Sequence, residues 1–125
     1  MPGNRRKSPF RYVLDEPIAF ELYIVSLNFT PAPRKPVPAL MHDISRSGCL
    51  VSLPLEIPVG HNRICVALDF VLNEEPLHFE GELRWNKLEN NQYYYGVEMK
   101  VPDDQKDRLQ LELRGLAGAK RIRVM

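Results

Sequence analysis

Imidazole, carboxylate, hydroxyl and guanidinium groups come together in His42-Asp43-Ile44-Ser45-Arg46-Ser47-Gly48. A nucleophile with its base and an orienting group would need these side chains to converge. Neighbouring residues of a strand point to opposite faces, however, and triads are assembled from separate segments, so the stretch does not read as a catalytic centre. A polar turn suits it better. Asp43 and Ser45 are short enough to bond nearby backbone N–H groups, and Gly48 is free to take positive φ. A second chemically active stretch, Arg5-Arg6-Lys7-Ser8-Pro9-Phe10-Arg11, lies about 30 residues upstream and is separated from the turn by one expected strand. Its guanidinium and ammonium groups suit a phosphate, a nucleic acid or an acidic surface, and charge alone does not choose among them.

The elements that must position these groups follow from pattern. Residues 1–11 have no hydrophobic period, and Pro9 opposes a helix reaching Phe10 and Arg11, so they read as a flexible basic arm. Ile18, Phe20, Leu22 and Ile24 alternate with their neighbours and predict a strand over residues 17–27. Four prolines between 31 and 38 favour an exposed loop over residues 28–38. Strands are expected at 37–43 and 48–53, on either side of the Asp-x-Ser-x-x-Gly turn.

Ile64, Val66, Leu68, Phe70 and Leu72 share one face of the next strand. Leu77, Phe79, Gly81, Leu83 and Trp85 share one face of the strand after it, and Lys87 to Asn91 is expected to be a loop. Tyr93, Tyr95, Val97 and Met99 line the sixth strand. Six short strands at such spacing predict an all-β fold, a small six-stranded antiparallel barrel that leaves no exposed edge. Pro102-Asp103-Asp104 marks a helix start, and Leu109, Leu113 and Leu116 form one stripe of a C-terminal helix able to plug the barrel. The expected organisation is an arm over 1–11, barrel and helix over 12–117, and a basic tail over 118–125, in which Ile122 and Val124 could instead add an edge strand.

The basic cluster, the intervening strand and the opening Asp43-x-Ser45-x-x-Gly48 together resemble the PilZ family of bacterial cyclic di-GMP receptors. The later strands, Tyr95-Gly96-Val97 and the closing helix follow that family's order over roughly residues 5 to 117. The resemblance implies a ligand, cyclic di-GMP, clamped between arm and turn. Arg6, Lys7 and Arg11 would then meet phosphates and guanine faces, and Asp43 would accept from guanine N–H donors. Ser45 would bond a phosphate or ribose oxygen, and Gly48 would let the ligand approach the backbone. One position departs from the family's Arg-x-x-x-Arg: counting back four from Arg11 reaches Lys7, and Arg6 lies five back. Lysine lacks the planar two-pronged guanidinium. The alternative reading is therefore a PilZ-like protein-interaction module that has lost nucleotide binding.

Composition sets the remaining bounds. The 125 residues suit one domain, with 44% hydrophobic and 26% charged residues, ordinary for a globular chain. The net charge of +1 is divided: residues 1–11 and 114–125 hold four bases each and no acid, while 12–113 hold 9 bases and 16 acids, a net of −7. Cys49 and Cys65 fall among apolar neighbours without metal-site spacing and are expected to be free thiols. Neither a catalytic centre, a metal site nor a cofactor is expected. The expected partners are cyclic di-GMP and a downstream protein, with no membrane contact and no nucleic acid, because two of Tyr93, Tyr94 and Tyr95 turn inward and leave too small a stacking platform. With no apolar start and no run of about 18 apolar residues, the expected location is the cytoplasm.

Overall fold

A computed structural model describes residues 11–119 and 122–124; expectations for residues 1–10, including Arg5, Arg6 and Lys7, fall outside them. The strands are β1 (Tyr12–Leu27), β2 (Thr30–Pro31), β3 (Pro36–Ile44), β4 (Gly48–Leu53), β5 (Ile64–Val71), β6 (Pro76–Glu89), β7 (Gln92–Lys100) and β8 (Ile122–Val124). A single 3-10 turn at Asp103–Gln105 leads into the helix α1 (Lys106–Gly118). The sheet runs β1-β3-β4-β7-β6-β5 with every pairing antiparallel, and a β1–β5 ladder closes it into a six-stranded barrel.

β1 is longer than its hydrophobic alternation suggests because it serves both neighbours. Its residues up to Tyr23 pair with β3, and Glu21–Leu27 pair with β5. The register with β3 shifts between Val13 and Ile18; Pro17, which has no N–H to give a ladder, sits in that irregular stretch. Upstream of the shift, Tyr12–Leu14 pair with β8, so part of the basic tail forms the edge strand that Ile122 and Val124 allowed.

Two loop expectations are corrected. Pro36 and Pro38 belong to β3, opposite Tyr23 and Glu21, whereas β3 meets β4 only from Leu40 onward. The prolines thus lie where β3 has one neighbour, and their missing donors cost no ladder bond. Lys87–Glu89 continue β6, and the reversal is the two-residue turn Asn90-Asn91, with φ of 52° and 63°. Asparagine tolerates this left-handed region, which the tight hairpin turn requires at both positions.

The interior follows the alternation. Leu22, Met41, Val51, Val66, Leu68, Phe79 and Tyr95 belong to one buried cluster that also contains Leu109, Leu113 and Leu116 of α1. Each fully buried Leu stabilises by roughly 1.5–3 kcal/mol relative to exposure. The helix is also fastened by polar contacts. Oε1 of the buried Glu112 accepts from the backbone N–H groups of Asn73, Glu74 and Glu75, at 3.0, 2.9 and 3.2 Å. Gly115 permits this approach, since a Cβ there would lie 2.3 Å from Nδ2 of Asn73. At Tyr95 the hydroxyl donates to Leu55 O at 2.6 Å and accepts from Ile57 N at 2.7 Å, which pins the β4–β5 connection to the barrel.

Glu112→Ala should destabilise the fold by about 3 kcal/mol in urea denaturation, because three N–H groups of the β5–β6 loop lose their acceptor at once. Glu112→Gln keeps an acceptor oxygen and should cost about a third as much.

Candidate functional site

Asp43 stands near the end of β3, opposite Val13 of β1. This register delivers the residue before β1, Arg11, to the same place: Nη1 of Arg11 lies 2.7 Å from Oδ1 of Asp43. The guanidinium is half exposed and the carboxylate largely covered, so the pair forms one lip of an open cleft. Ser45 N donates to Gly48 O at 2.8 Å and closes the β3–β4 turn. The buried Ser45 hydroxyl donates to Gly48 O and accepts from Ser47 N, each at 3.3 Å. Its proton is thereby committed to the turn, and a remaining lone pair is what it has for anything else.

The expected reason for Gly48 is replaced by another. Gly60 is the one described glycine with positive φ. At Gly48 a Cβ would lie 2.6 Å from the carbonyl oxygen of Val97 on β7. The residue is glycine because β7 passes too close for any side chain, and Met99 N donates to Ser47 O at 2.9 Å across the same contact.

Arg11, Asp43, Ser45 and Gly48 all line one cleft of about 410 Å³. Arg6 and Lys7 lie outside the described residues. The same cleft is lined by Arg84, Trp85, Gly96 and Glu98, which alternation did not single out. Trp85 was expected to face inward with Leu83. The β6–β7 register instead shifts between Leu83 and Trp85, and this bulge turns the indole outward, where it is 47% exposed. It lies over Gly96, where a Cβ would come within 2.2 Å of its Nε1. A glycine inside a strand is the sequence signal of such an approach, and Gly96 carried it.

The charges of the cleft nearly cancel. Nη1 of Arg84 is 3.5 Å from Oε2 of Glu82 and 3.7 Å from Oε1 of Glu98, and Arg11 is matched by Asp43. His42 adds no cation: burial holds its imidazole below the ordinary value, and Nε2 bonds Oγ of Ser52 at 2.8 Å. Burial pushes the Cys49 thiol behind the cleft far up, so at neutral pH it is a packing group. Neither cysteine is bonded to another. Among the described residues there is no cluster of three metal-ligating side chains and no helix long and apolar enough to cross a membrane.

The fold has known counterparts. The PilZ domain family model matches residues 4–115. The chain belongs to the PilZ domain family. A solved structure, described as Bacillus subtilis inhibitor of motility (MotI/DgrA), aligns with a TM-score of 0.59 at 17% identity, covering 94% of this chain and 54% of that one. This PilZ chain therefore spans about half the length of that protein, and the likeness is one of fold. No curated protein matches the sequence.

Two substitutions test these close approaches. Gly48→Ala should cost about 2 kcal/mol of stability, as overpacking against a fixed carbonyl does. Gly96→Ala should leave the turn intact and push the indole into water. Trp85 is the sole tryptophan, so a red shift of its emission reads this displacement directly.

Proposed function

We propose that this PilZ domain binds cyclic di-GMP in the cleft between the β3–β4 turn and Trp85, and that binding switches the surface offered to a downstream protein. The reading rests most on the convergence of Arg11 with the Asp43–Gly48 turn, 32 residues from Arg11 to Asp43, around one opening that also exposes an aromatic face. Guanine suits such an opening. Arg11 donates to O6 and N7, Asp43 accepts from the ring and amino N–H groups, and the indole stacks on the base. Gly48 keeps the floor of the cleft at backbone level.

The ligand also carries two phosphates, and the near-neutral cleft does not answer them. The arm supplies the missing charge, with Arg6 and Lys7 as its candidate groups and Arg5 beside them. In this mechanism the arm orders on the ligand, which joins it to the barrel and alters the surface around β1 and the turn. Arg11 and Asp43 satisfy each other without ligand, an arrangement that equally suits a domain acting only through protein contacts. That second reading gains weight from Lys7 in place of arginine.

Calorimetry with cyclic di-GMP, with GMP as control, separates the two. Binding is expected, and the absence of heat at ~100 μM ligand, a limit near 5.5 kcal/mol, would leave the interaction module as the function. Arg11→Ala and Asp43→Ala should each weaken binding by about 2–3 kcal/mol. If Arg6 supplies the second guanidinium, Arg6→Ala costs as much and Lys7→Arg is nearly neutral; a tenfold gain from Lys7→Arg places Lys7 in that role instead. Saturating ligand should slow tryptic cleavage after Arg5, Arg6 and Lys7.

A further inference from the structure

The β1–β2 hairpin displays an aromatic side chain that the fold does not need. Its two-residue turn is Asn28-Phe29, with φ of 50° and 70°. Both positions require the left-handed region, where Asn-Gly is the favoured pair and a bulky residue is an outlier. The same chain builds its other such turn from Asn90-Asn91. Phe29 is nonetheless 77% exposed, with Leu27 beside it at 44%, so it gains little burial in return. It is also held firmly. Asn28 N donates to Arg63 O and Arg63 N donates to Asn28 Oδ1, both at 2.8 Å, and Asn28 Nδ2 donates to Asn62 Oδ1 at 2.9 Å. The Arg63 guanidinium lies 5.0 Å from the ring centroid. The result is a rigid apolar knob flanked by the half-exposed Arg63 guanidinium, which also holds a loose contact, Nε to Oε1 of Glu82 at 3.6 Å.

The complement to this knob is on the same molecule. Where β1 parts from β5 beyond the Glu21–Asp69 pair, a hollow of about 350 Å³ opens over Phe20, Phe70, Val71 and Leu77, with Glu21 and Asp69 at its rim. Val71 is 45% exposed there. Asp69 is bonded to His78 and Glu21 to the Tyr23 hydroxyl, so the rim is built of held carboxylates. Phe29 lies nine positions beyond Phe20, about 30 Å along the extended hairpin, which prevents a chain from filling its own hollow. Two chains laid antiparallel along β1 make both contacts at once and close the assembly at two.

We propose that Phe29 of each chain inserts into the Phe20–Leu77 hollow of a second copy, with Arg63 meeting Glu21 and Asp69, as a weak self-association surface distinct from the nucleotide cleft. Sedimentation velocity of the full chain from ~10 to ~500 μM, the range in which a weak dimer appears, tests it. Wild type should shift from monomer to dimer. Phe29→Gly should lower the association constant tenfold or more while raising Tm, since glycine relieves the turn. Val71→Glu, or Glu21→Lys as a second variant of the hollow, should likewise remain monomeric. An equimolar mixture of Phe29→Gly and Val71→Glu should regain heterodimer, because one chain keeps the hollow and the other the knob. Three results would each overturn the proposal: a wild type that stays monomeric throughout, as a knob made for another protein or a lipid surface would give; a Phe29→Gly chain that associates like wild type; and a mixture no more associated than its parts.

Discussion

A closed barrel has no edge, so some strand must be bonded on both sides where the sheet begins and ends. Here that duty falls on β1, whose two halves answer to β3 and β5. Most of the local irregularity follows from it. The passage from β3 to β5 falls at Glu21–Tyr23, which pair with both, while the shift between Val13 and Ile18 resets the register with β3 so that the start of β1 lies across its end. Arg11 consequently arrives at Asp43, although 32 residues separate them. The cleft is thus a by-product of closure: the place where the first strand enters is the place where the β3–β4 turn protrudes.

Closure also brings backbones together more tightly than side chains allow, and three glycines record it. Gly48 yields to the carbonyl of Val97, Gly96 to the indole of Trp85, and Gly81 to the carbonyl of Glu98, 2.6 Å from where its Cβ would be. Gly96 belongs to β7, and the other two face it from β4 and β6. This strand carries the turn on one side and the indole on the other, so the spacing between the two halves of the cleft is set by main chain. A site bounded this way changes shape little when surface side chains change.

The sequence made the fold legible because alternation is strong in the strands that carry the core. Ile64, Val66, Leu68, Phe70 and Leu72 all face inward, as do Leu109, Leu113 and Leu116 of the helix. Alternation failed where a bulge breaks the period. Trp85 stands on the opposite face from the one alternation predicts for that reason, and half of the cleft goes with it. The prolines at 36 and 38 misled because composition cannot tell a loop from a strand with a single neighbour. The motif points to Asp43, Ser45 and Gly48, yet the physical reason for Gly48 needs β7, which pairs it with Glu98, 50 residues away in sequence. The charge of the arm was legible from composition, and the near-neutrality of the cleft it would serve came only from pairing distances.

The three bonds to Glu112 set an order of events during synthesis. A ribosome releases β5 and β6 well before the helix, so the loop between them emerges with its donors waiting on a residue 37 positions or more downstream. The strand bonded to the start of β1, β8, is later still. A nascent chain can pair its hairpins early, but the barrel's end stays open until α1 has left the tunnel. A chain stopped before α1 would have an unplugged core, a substrate for proteases and chaperones.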